Sequence, residues 1–493
     1  MAAKISTAPG DIYPVHVMDD GPANHCYVNW MMHFNDIIEA TKLNEALVKL
    51  LEKGDWKKLG GRLRRNKSGK LEIHALDSSD PEQKSVFFTH NTFDMTIDKH
   101  PVASRLPKET HSPSVQPLHD AEFRPLIARE NLPTFHEMVE KDLPSVSLHV
   151  TSFNDGTFVG LAWPHVLMDA IGAKDLLAAW SLVLSGQEES VLPVLGAKED
   201  FLRKTDALYD DNETPEEFGL EKHRLAGMGL VVFVVRFLWS KLWSSRRQRK
   251  VVFIPRDAFA KMKVKAQEDV TTTSQEVEDQ AFISSSDILT AWFTRAVALS
   301  ERKSRQFTVL NLLNARFRLP ILVKSSGVFL GNMVLGTYSF LSSQLGSKGV
   351  GSIALEHRKH CTEQGTAKQT VCFLESILRD VDSGGTPRLI FGEPWARVVA
   401  FNNLLKADVI RTVDFSAAVI RPGDVSEKRK NSSGTMLSYF NGDIDQSFKD
   451  LDIFVVLGQD HEENYWVLGC VFPRVWQKIE QELRSIETNL NLQ

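Results

Sequence analysis

The sequence predicts an α/β protein with mixed sheets, organised as two core-bearing domains. Three observations carry this. Strand-like runs of period two alternate with helix-like spacing in both halves of the chain. Turn signals such as Asn154-Asp155-Gly156 join neighbouring strands into hairpins, so the sheets are mixed rather than purely parallel. At 493 residues and 42% hydrophobic, the chain is long enough to bury two cores.

Ile12 to Met18 reads as an edge strand and Cys26 to Phe34 as a second, aromatic one. Thr41 stands where it can cap a helix with Leu43, Ala46, Leu47, Leu50 and Leu51 on one face. Gly60-Gly61-Arg62-Leu63 leads into a hairpin that returns through Leu71 to His74. Residues 77–120 are polar and proline-punctuated, read as surface loops with short strands, and Leu132 to Leu143 is irregular. Val146 to Thr151 alternates with period two, and Thr157 to Trp163 returns beside it. Ile171 to Ser185 then shifts to helical spacing, with Leu176, Ala179, Trp180, Val183 and Leu184 on one face and Gly186 as a stop.

Gln187 to Lys222 turns acidic and loop-like, most strongly from Tyr209 to Glu217. An N-terminal domain is therefore placed at 1–200 and a crossover at 201–249. The crossover contains an apolar run, Leu225 to Leu242, interrupted by Arg236 and Lys241. Trp243 and the basic stretch Arg246-Arg247-Gln248-Arg249-Lys250 follow it. This reads as an amphipathic helix packed on its own protein. The competing reading is weak contact with a membrane surface through Leu225, Trp239 and Trp243.

The second domain, 250–493, opens with a strand at Lys250 to Pro255, a helix at Arg256 to Ala266 and a polar stretch at Gln267 to Gln280. Ser284 to Asp287 caps a helix running to Leu299. Phe307 to Leu313, Val334 to Phe340, Trp395 to Asn402, Val409 to Phe415, Asp452 to Leu457 and Tyr465 to Phe472 read as strands. Gly349 to Leu378 and Val475 to Leu490 read as helices.

A net charge of −5 argues against a nucleic-acid protein. Four scattered cysteines without redox or metal spacing favour a reducing compartment. No stretch reaches the ~20 apolar residues of a membrane span, and Met1 to Ser6 lacks an apolar signal core. Phosphate-loop, dinucleotide-binding, zincin and nucleophile-elbow motifs are missing. His357, His360 and Cys361 share helical spacing, but the neighbouring Arg358 and Lys359 read as a solvated face, so no metal is expected.

The pattern His-x-x-x-Asp occurs three times: His16 to Asp20, His90 to Asp94 and His165 to Asp169. The first lies in a run that reads as surface turn (Asp19, Asp20, Gly21, Pro22), and the second has no helix behind it. Only the third sits between a strand and a helix. Pro164 cannot donate to a sheet ladder, so pairing should end there and deliver His165 at a bend, where its side chain can face a cavity.

With further landmarks in order, this arrangement resembles the BAHD acyltransferases, in particular fungal members. Those CoA-dependent enzymes acylate alcohols and amines. The landmarks are Gly60-Gly61-Arg62-Leu63, Ser285-Ser286-Asp287-Ile288-Leu289-Thr290-Ala291-Trp292, Asn314-Ala315-Arg316-Phe317-Arg318-Leu319-Pro320, Gly331-Asn332 and Asp414-Phe415-Ser416-Ala417-Ala418. Ala170 replaces the usual glycine, Asp414-Phe415 is not followed by Gly-Trp-Gly, and Leu404 stands where the family has a tryptophan.

The resemblance implies a two-domain chloramphenicol-acetyltransferase-like fold. Each domain would be a mixed sheet flanked by helices, with an active-site tunnel at their interface and 412–435 packing on the N-terminal domain. It implies acyl-CoA, most simply acetyl-CoA, as co-substrate, and transfer to a hydroxyl or amine of a small hydrophobic natural product. No cofactor would be held permanently. His165 would be the general base, its second ring nitrogen donating to a carbonyl or polar group. Asp169 would point away and pair with Arg316, and Asp414 would brace the domain contact. Ser285 would meet CoA phosphates, and Asn402 and Asn403 would face the thioester. The chain would be a cytoplasmic monomer, in one variant peripheral to an internal membrane. Two rivals stand beside this: a peptide-synthetase condensation domain, against which Pro164 and Ala170 count, and a non-catalytic ligand-binding protein on the same fold, motivated by the altered second signature.

Overall fold

The hairpin Val146–Ser152 and Thr157–Pro164 forms the interior of a five-stranded sheet, and every residue of both strands is buried. The computed structural model that shows this describes residues 11–77, 83–129, 132–203, 216–243, 246–273, 282–442 and 451–488. Most of the acidic run Tyr209 to Glu217 and part of the polar stretch Gln267 to Gln280 lie outside the described residues. Tyr27–Phe34 runs antiparallel to the second hairpin strand, with Trp30 opposite Leu161 and Met32 opposite Val159. Val86–Thr92 runs parallel to the first, which makes the sheet mixed. Burial on both faces explains why these strands read as nearly continuous apolar runs. Against the sheet pack the helices Ala40–Leu50 and Ala170–Leu184, joined by Trp180 Nε1 donating to Leu43 O at 2.9 Å.

A seven-stranded mixed sheet forms the second layer system. Its order is Val334–Leu341, Phe307–Asn314, Arg397–Asn403, Asp452–Gln459, Tyr465–Val471, Gln248–Ile254 and Ser114–Pro117. Helices Arg256–Thr273, Ser285–Leu299, Val350–Gln364 and Pro473–Thr488 contribute to the core on its helical face.

The two sheets exchange edge strands. Ser114–Pro117, from the first half, closes the second sheet beside Gln248–Ile254. Ser438–Gly442, from the second half, closes the first sheet beside Tyr27–Phe34. Val419–Pro422 pairs with Asp36–Ile38, and Arg429 grips the buried Asp36 carboxylate through two bonds of 2.7 and 2.6 Å. One hydrophobic core accordingly runs from Trp30 and Trp163 through to Phe253, Trp466 and Leu468.

Several local expectations need correcting. Thr41 lies within the first helical turn, after Glu39, and caps nothing. Residues 132–143 contain a helix, Phe135–Glu140, closed by a capping box of Thr134 and Glu137, a spacing present in the sequence. Within 77–120, the strands expected among the loops include Val86–Thr92, which forms an edge of the first sheet. Val409 to Phe415 is not a strand: a short helix, Val409–Thr412, follows Asp408 in left-handed conformation. Its β-branched residues misled, because Val409, Ile410 and Val413 bury at helical spacing. The helix from Arg256 continues to Thr273, and Gly365 with Thr366 breaks 349–378 into two helices.

The helix Gly227–Trp243 also departs from expectation. It packs on the 389–396 segment, but an apolar stripe on its outer side stays exposed. Leu225 is not on that stripe; it is buried, with its N–H donating to Ile390 O at 2.9 Å. Trp239 is exposed, and the side chain of Trp243 falls outside the described ones. Among the described residues no helix is long and apolar enough to cross a membrane.

A buried histidine on the first sheet makes stability depend on pH. The Thr151 hydroxyl donates to Leu126 O at 2.9 Å and so accepts from His149 Nε2 at 3.2 Å, leaving His149 Nδ1 to accept from Thr89 at 2.6 Å. Burial, with His90 adding to it, pushes the imidazole down to about 4. The unfolded chain takes up this proton near pH 6.5 and the folded one only near 4, so stability falls as pH drops through that window. The expected loss is roughly 3 kcal/mol by the lower end. Urea denaturation across this range should show a flatter pH dependence in His149→Gln, and an unchanged one would refute the assignment.

Candidate active site

His165 is the first residue beyond the strand Thr157–Pro164, whose last ladder partner is Tyr27. Its backbone is clamped on both sides. The N–H donates to Cys26 O at 2.8 Å, and the C=O accepts from Asn332 Nδ2 at 2.8 Å. The ring is half-buried. Its Nδ1 is buried without a hydrogen-bond partner, against the expectation that a carbonyl or polar group would fix the tautomer. Backbone tethering therefore positions this residue, and Nε2 is not enclosed in that way. Val166, Leu167 and Met168 then bury, and Trp163 Nε1 donates to Met168 O at 3.1 Å, closing the bend.

Asp169 serves two structures with its two oxygens. Oδ1 accepts the N–H groups of Ile171 and Gly172, both at 3.0 Å, and so caps the helix Ala170–Leu184. Oδ2 accepts from Arg316 Nη1 at 2.6 Å, Met333 N at 3.1 Å and Asn314 Nδ2 at 3.3 Å. Arg316 is itself buried. Its Nε donates to Phe329 O at 2.9 Å, and its Nη2 donates to Leu330 O at 3.1 Å and to Gly331 O. Four of the five guanidinium N–H donors are thus used by the loop 329–331 or by Asp169. The approach is tight enough to require glycine at 172, where a Cβ would come within 2.2 Å of Leu330 O.

Behind His165 lies a layer that sequence reasoning missed. Asp19, read as surface turn, is 1% exposed. Its Oδ1 accepts from Asn332 N at 2.6 Å and Asn332 Nδ2 at 2.8 Å, and that same Nδ2 holds His165 O. Asp19 Oδ2 faces the buried Lys58 ammonium at 3.8 Å. A charged residue among Gly, Pro and Asp gives no sequence signal of burial; the one available clue was a lysine, Lys58, placed before an apolar Leu59-Gly60-Gly61. The other two histidines of the pattern are structural: His16 Nε2 bonds Gly196 O at 2.7 Å, and His90 Nε2 bonds Ser152 Oγ at 3.0 Å.

Asn403 reaches the start of the helix Ser285–Leu299 at Ser286 rather than at Ser285. Asn403 Nδ2 donates to Ser286 Oγ and its Oδ1 accepts from Leu405 N at 2.9 Å, while Ser285 stands near the Tyr465 phenol. Asn402 stands one residue earlier, in register between Leu312 and Val455. Among the described residues, no hydrogen bond joins this group to His165. Asp414 is exposed, and its carboxylate accepts from Ser416 N at 2.9 Å, a local turn. Contact with the first domain is made by the Asp414 backbone N–H, which donates to Ser181 Oγ at 3.1 Å, and by Phe415, which packs against Phe34 and Trp180 with ring centroids 5.4 and 4.7 Å away.

No group of three or more His, Cys, Asp or Glu among the described residues could hold a metal. The 357–361 face is not solvated as expected: His357 is buried, bonds Ser339 Oγ at 2.7 Å and is pushed down to about 4 by burial. Burial pushes the Cys361 thiol up to about 11, which leaves it unreactive as a nucleophile. A cavity of about 390 Å³ opens beside Arg316, with Lys174, Asp175, Phe317 and Lys406 on its walls. His165 does not line it, so it is not taken as the seat of chemistry.

Comparison with known proteins identifies the family. The model described as "Transferase family" matches residues 121–371. The O-acetyltransferase PaAT-2 of Phomopsis amygdali is 32% identical over 98% of this chain and 99% of its own. The acetyltransferase BOT5 of Botryotinia fuckeliana is 31% identical over 96% of this chain and 90% of its own. Among solved structures, F. graminearum TRI101 complexed with coenzyme A and deoxynivalenol superposes with a TM-score of 0.65. That match covers 96% of this chain and 97% of TRI101, at 12% identity.

Proposed function

Since the chain belongs to the transferase family of BAHD-type acyltransferases, we propose that it transfers an acyl group, acetyl in the first instance, from acyl-CoA to a hydroxyl of a small hydrophobic natural product, with His165 as general base. The observation that carries the catalytic assignment is the separation of roles along one short motif. His165 is held by its backbone with an uncommitted ring, while Asp169 is wholly committed to the helix cap and to Arg316. A carboxylate so occupied does not relay a proton to the imidazole.

A thioester carries its own leaving group, so no acyl-enzyme is needed. The acceptor oxygen attacks the thioester carbonyl as its proton passes to His165 Nε2. The tetrahedral intermediate then collapses with cleavage of the C–S bond, and the proton goes on to the departing thiolate. General-base help of this kind contributes about 10²–10⁴-fold. The names of the relatives support acetyl as the donor group, and the coenzyme A and deoxynivalenol held by TRI101 support CoA with a small-molecule acceptor.

The test is incubation of the pure protein with acetyl-CoA and a panel of hydrophobic alcohols and amines, following free thiol and acylated product together. One thiol per ester or amide is expected. No product from acetyl-CoA or longer acyl-CoAs, with any acceptor, would sink the reading.

A further inference from the structure

The helix Gly227–Trp243 presents to solvent Met228, Val231, Val234, Val235, Leu238 and Trp239. These positions recur at intervals of three and four, so they form one stripe along a helix about 25 Å long. The exposure is substantial, at 77% for Met228 and 59% for Trp239. Scattered exposed apolar side chains are ordinary; a continuous stripe ending in tryptophan is not. The opposite side of the helix is anchored: Arg236 donates to Trp395 O at 3.0 Å and to Ala396 O at 2.6 Å. Trp395, at that contact, is 68% exposed and extends the apolar surface.

The charge around the stripe is predominantly basic, although the whole chain carries −5. Arg397 N donates to Gln306 O at 2.9 Å, which sets the exposed loop of Arg302 and Lys303 next to the Trp395 segment. Arg246 is exposed just beyond the helix C-terminus. Among the described residues near this face, Glu301 is enclosed by Arg305, Arg397 and Arg474, while Glu393 beside Trp395 and Glu221 before the helix are exposed.

We infer that this face docks on an anionic lipid bilayer, with the helix lying in the interface plane, its valines, Leu238 and tryptophans inserted at headgroup depth, and Arg246, Arg302 and Lys303 on lipid phosphates. Apolar side chains on one side with tryptophan and basic residues at the margin are the composition of an interfacial helix. A second copy of the chain fits less well. A two-fold contact through this stripe brings Arg302 and Lys303 of both copies onto one interface, a repulsion that Glu393 of each copy does not offset. The inference does not depend on acyl transfer, because binding is read without turnover; its use would be to draw lipophilic acceptor from the membrane.

Flotation of the full chain with vesicles of phosphatidylcholine, with and without phosphatidylserine, tests it. The protein should float with the anionic vesicles and stay behind with the neutral ones. Replacing Arg302 and Lys303 by alanine should weaken partitioning about thirtyfold at low salt. Val235→Asp with Trp239→Asp should abolish it; both sites are exposed, and an unchanged thermal melt shows the fold is kept. Should that pair unfold the chain, Trp239→Ser gives the same readout at lower amplitude. Protein that remains unbound at every composition overturns the inference. So does binding indifferent to the aspartates, or a dimer in sedimentation velocity that the aspartates dissolve while vesicles never bind.

Discussion

Arg316→Ala should cost about 3–5 kcal/mol of stability, the largest single effect expected outside the core. The substitution strands the buried Asp169 carboxylate without its cation and leaves the carbonyls of Phe329, Leu330 and Gly331 without their donor. Asp169→Asn keeps the helix capped, because its Oδ1 can still accept from Ile171 and Gly172, but it sets an NH2 donor where Oδ2 accepted from Arg316, Met333 and Asn314. Asp169→Ala should lose the cap as well, ~1 kcal/mol more. Arg316→Lys should recover little, since one ammonium cannot reach a carboxylate and three carbonyls in the fork geometry. Urea denaturation of the single and double variants measures the coupling; a coupling energy near zero would mean the ion pair does not hold these two segments together.

His165→Ala should behave oppositely: turnover down by about 10²–10⁴-fold, with little change in melting temperature. The stability half follows from the structure. What ties this residue down is its backbone, through Cys26 O and Asn332 Nδ2, and an alanine keeps both bonds. The ring's buried Nδ1 has no partner to lose. Asn332→Ala should show a third pattern: it releases the His165 carbonyl and the Nδ2 bond to Asp19, keeps only the backbone N–H bond to Asp19, and so lowers activity and stability together. Turnover in His165→Ala within tenfold of the parent protein would remove the histidine from the chemistry.

Much of this was legible before any coordinates. Period-two spacing from Val146 to Trp163, a proline at the strand end and helical spacing from Ile171 report local geometry, and local geometry is what side-chain periodicity encodes. Hence the strand–bend–helix setting of His165 and the capping of the helix at Ser284 hold as read. Where β-branched residues pointed to a strand, at Val409 to Val413, tertiary burial decided for helix.

The sequence alone determined the α/β class, the family and the position of the motif, because these rest on spacing and on ordered residues that survive without knowledge of contacts. Only the tertiary structure decided which polar groups are buried and what they face. Asp19 and Asp414 are both aspartates in polar surroundings, yet the carboxylate of one is sealed beneath the histidine loop by Asn332 and Lys58, and that of the other closes a turn at the surface. The two edge-strand exchanges and the bare stripe of Gly227–Trp243 belong to the same class. Burial of a charge, pairing across a hundred or more residues and exposure of an apolar face all depend on what packs opposite, and no window of sequence contains its opposite partner.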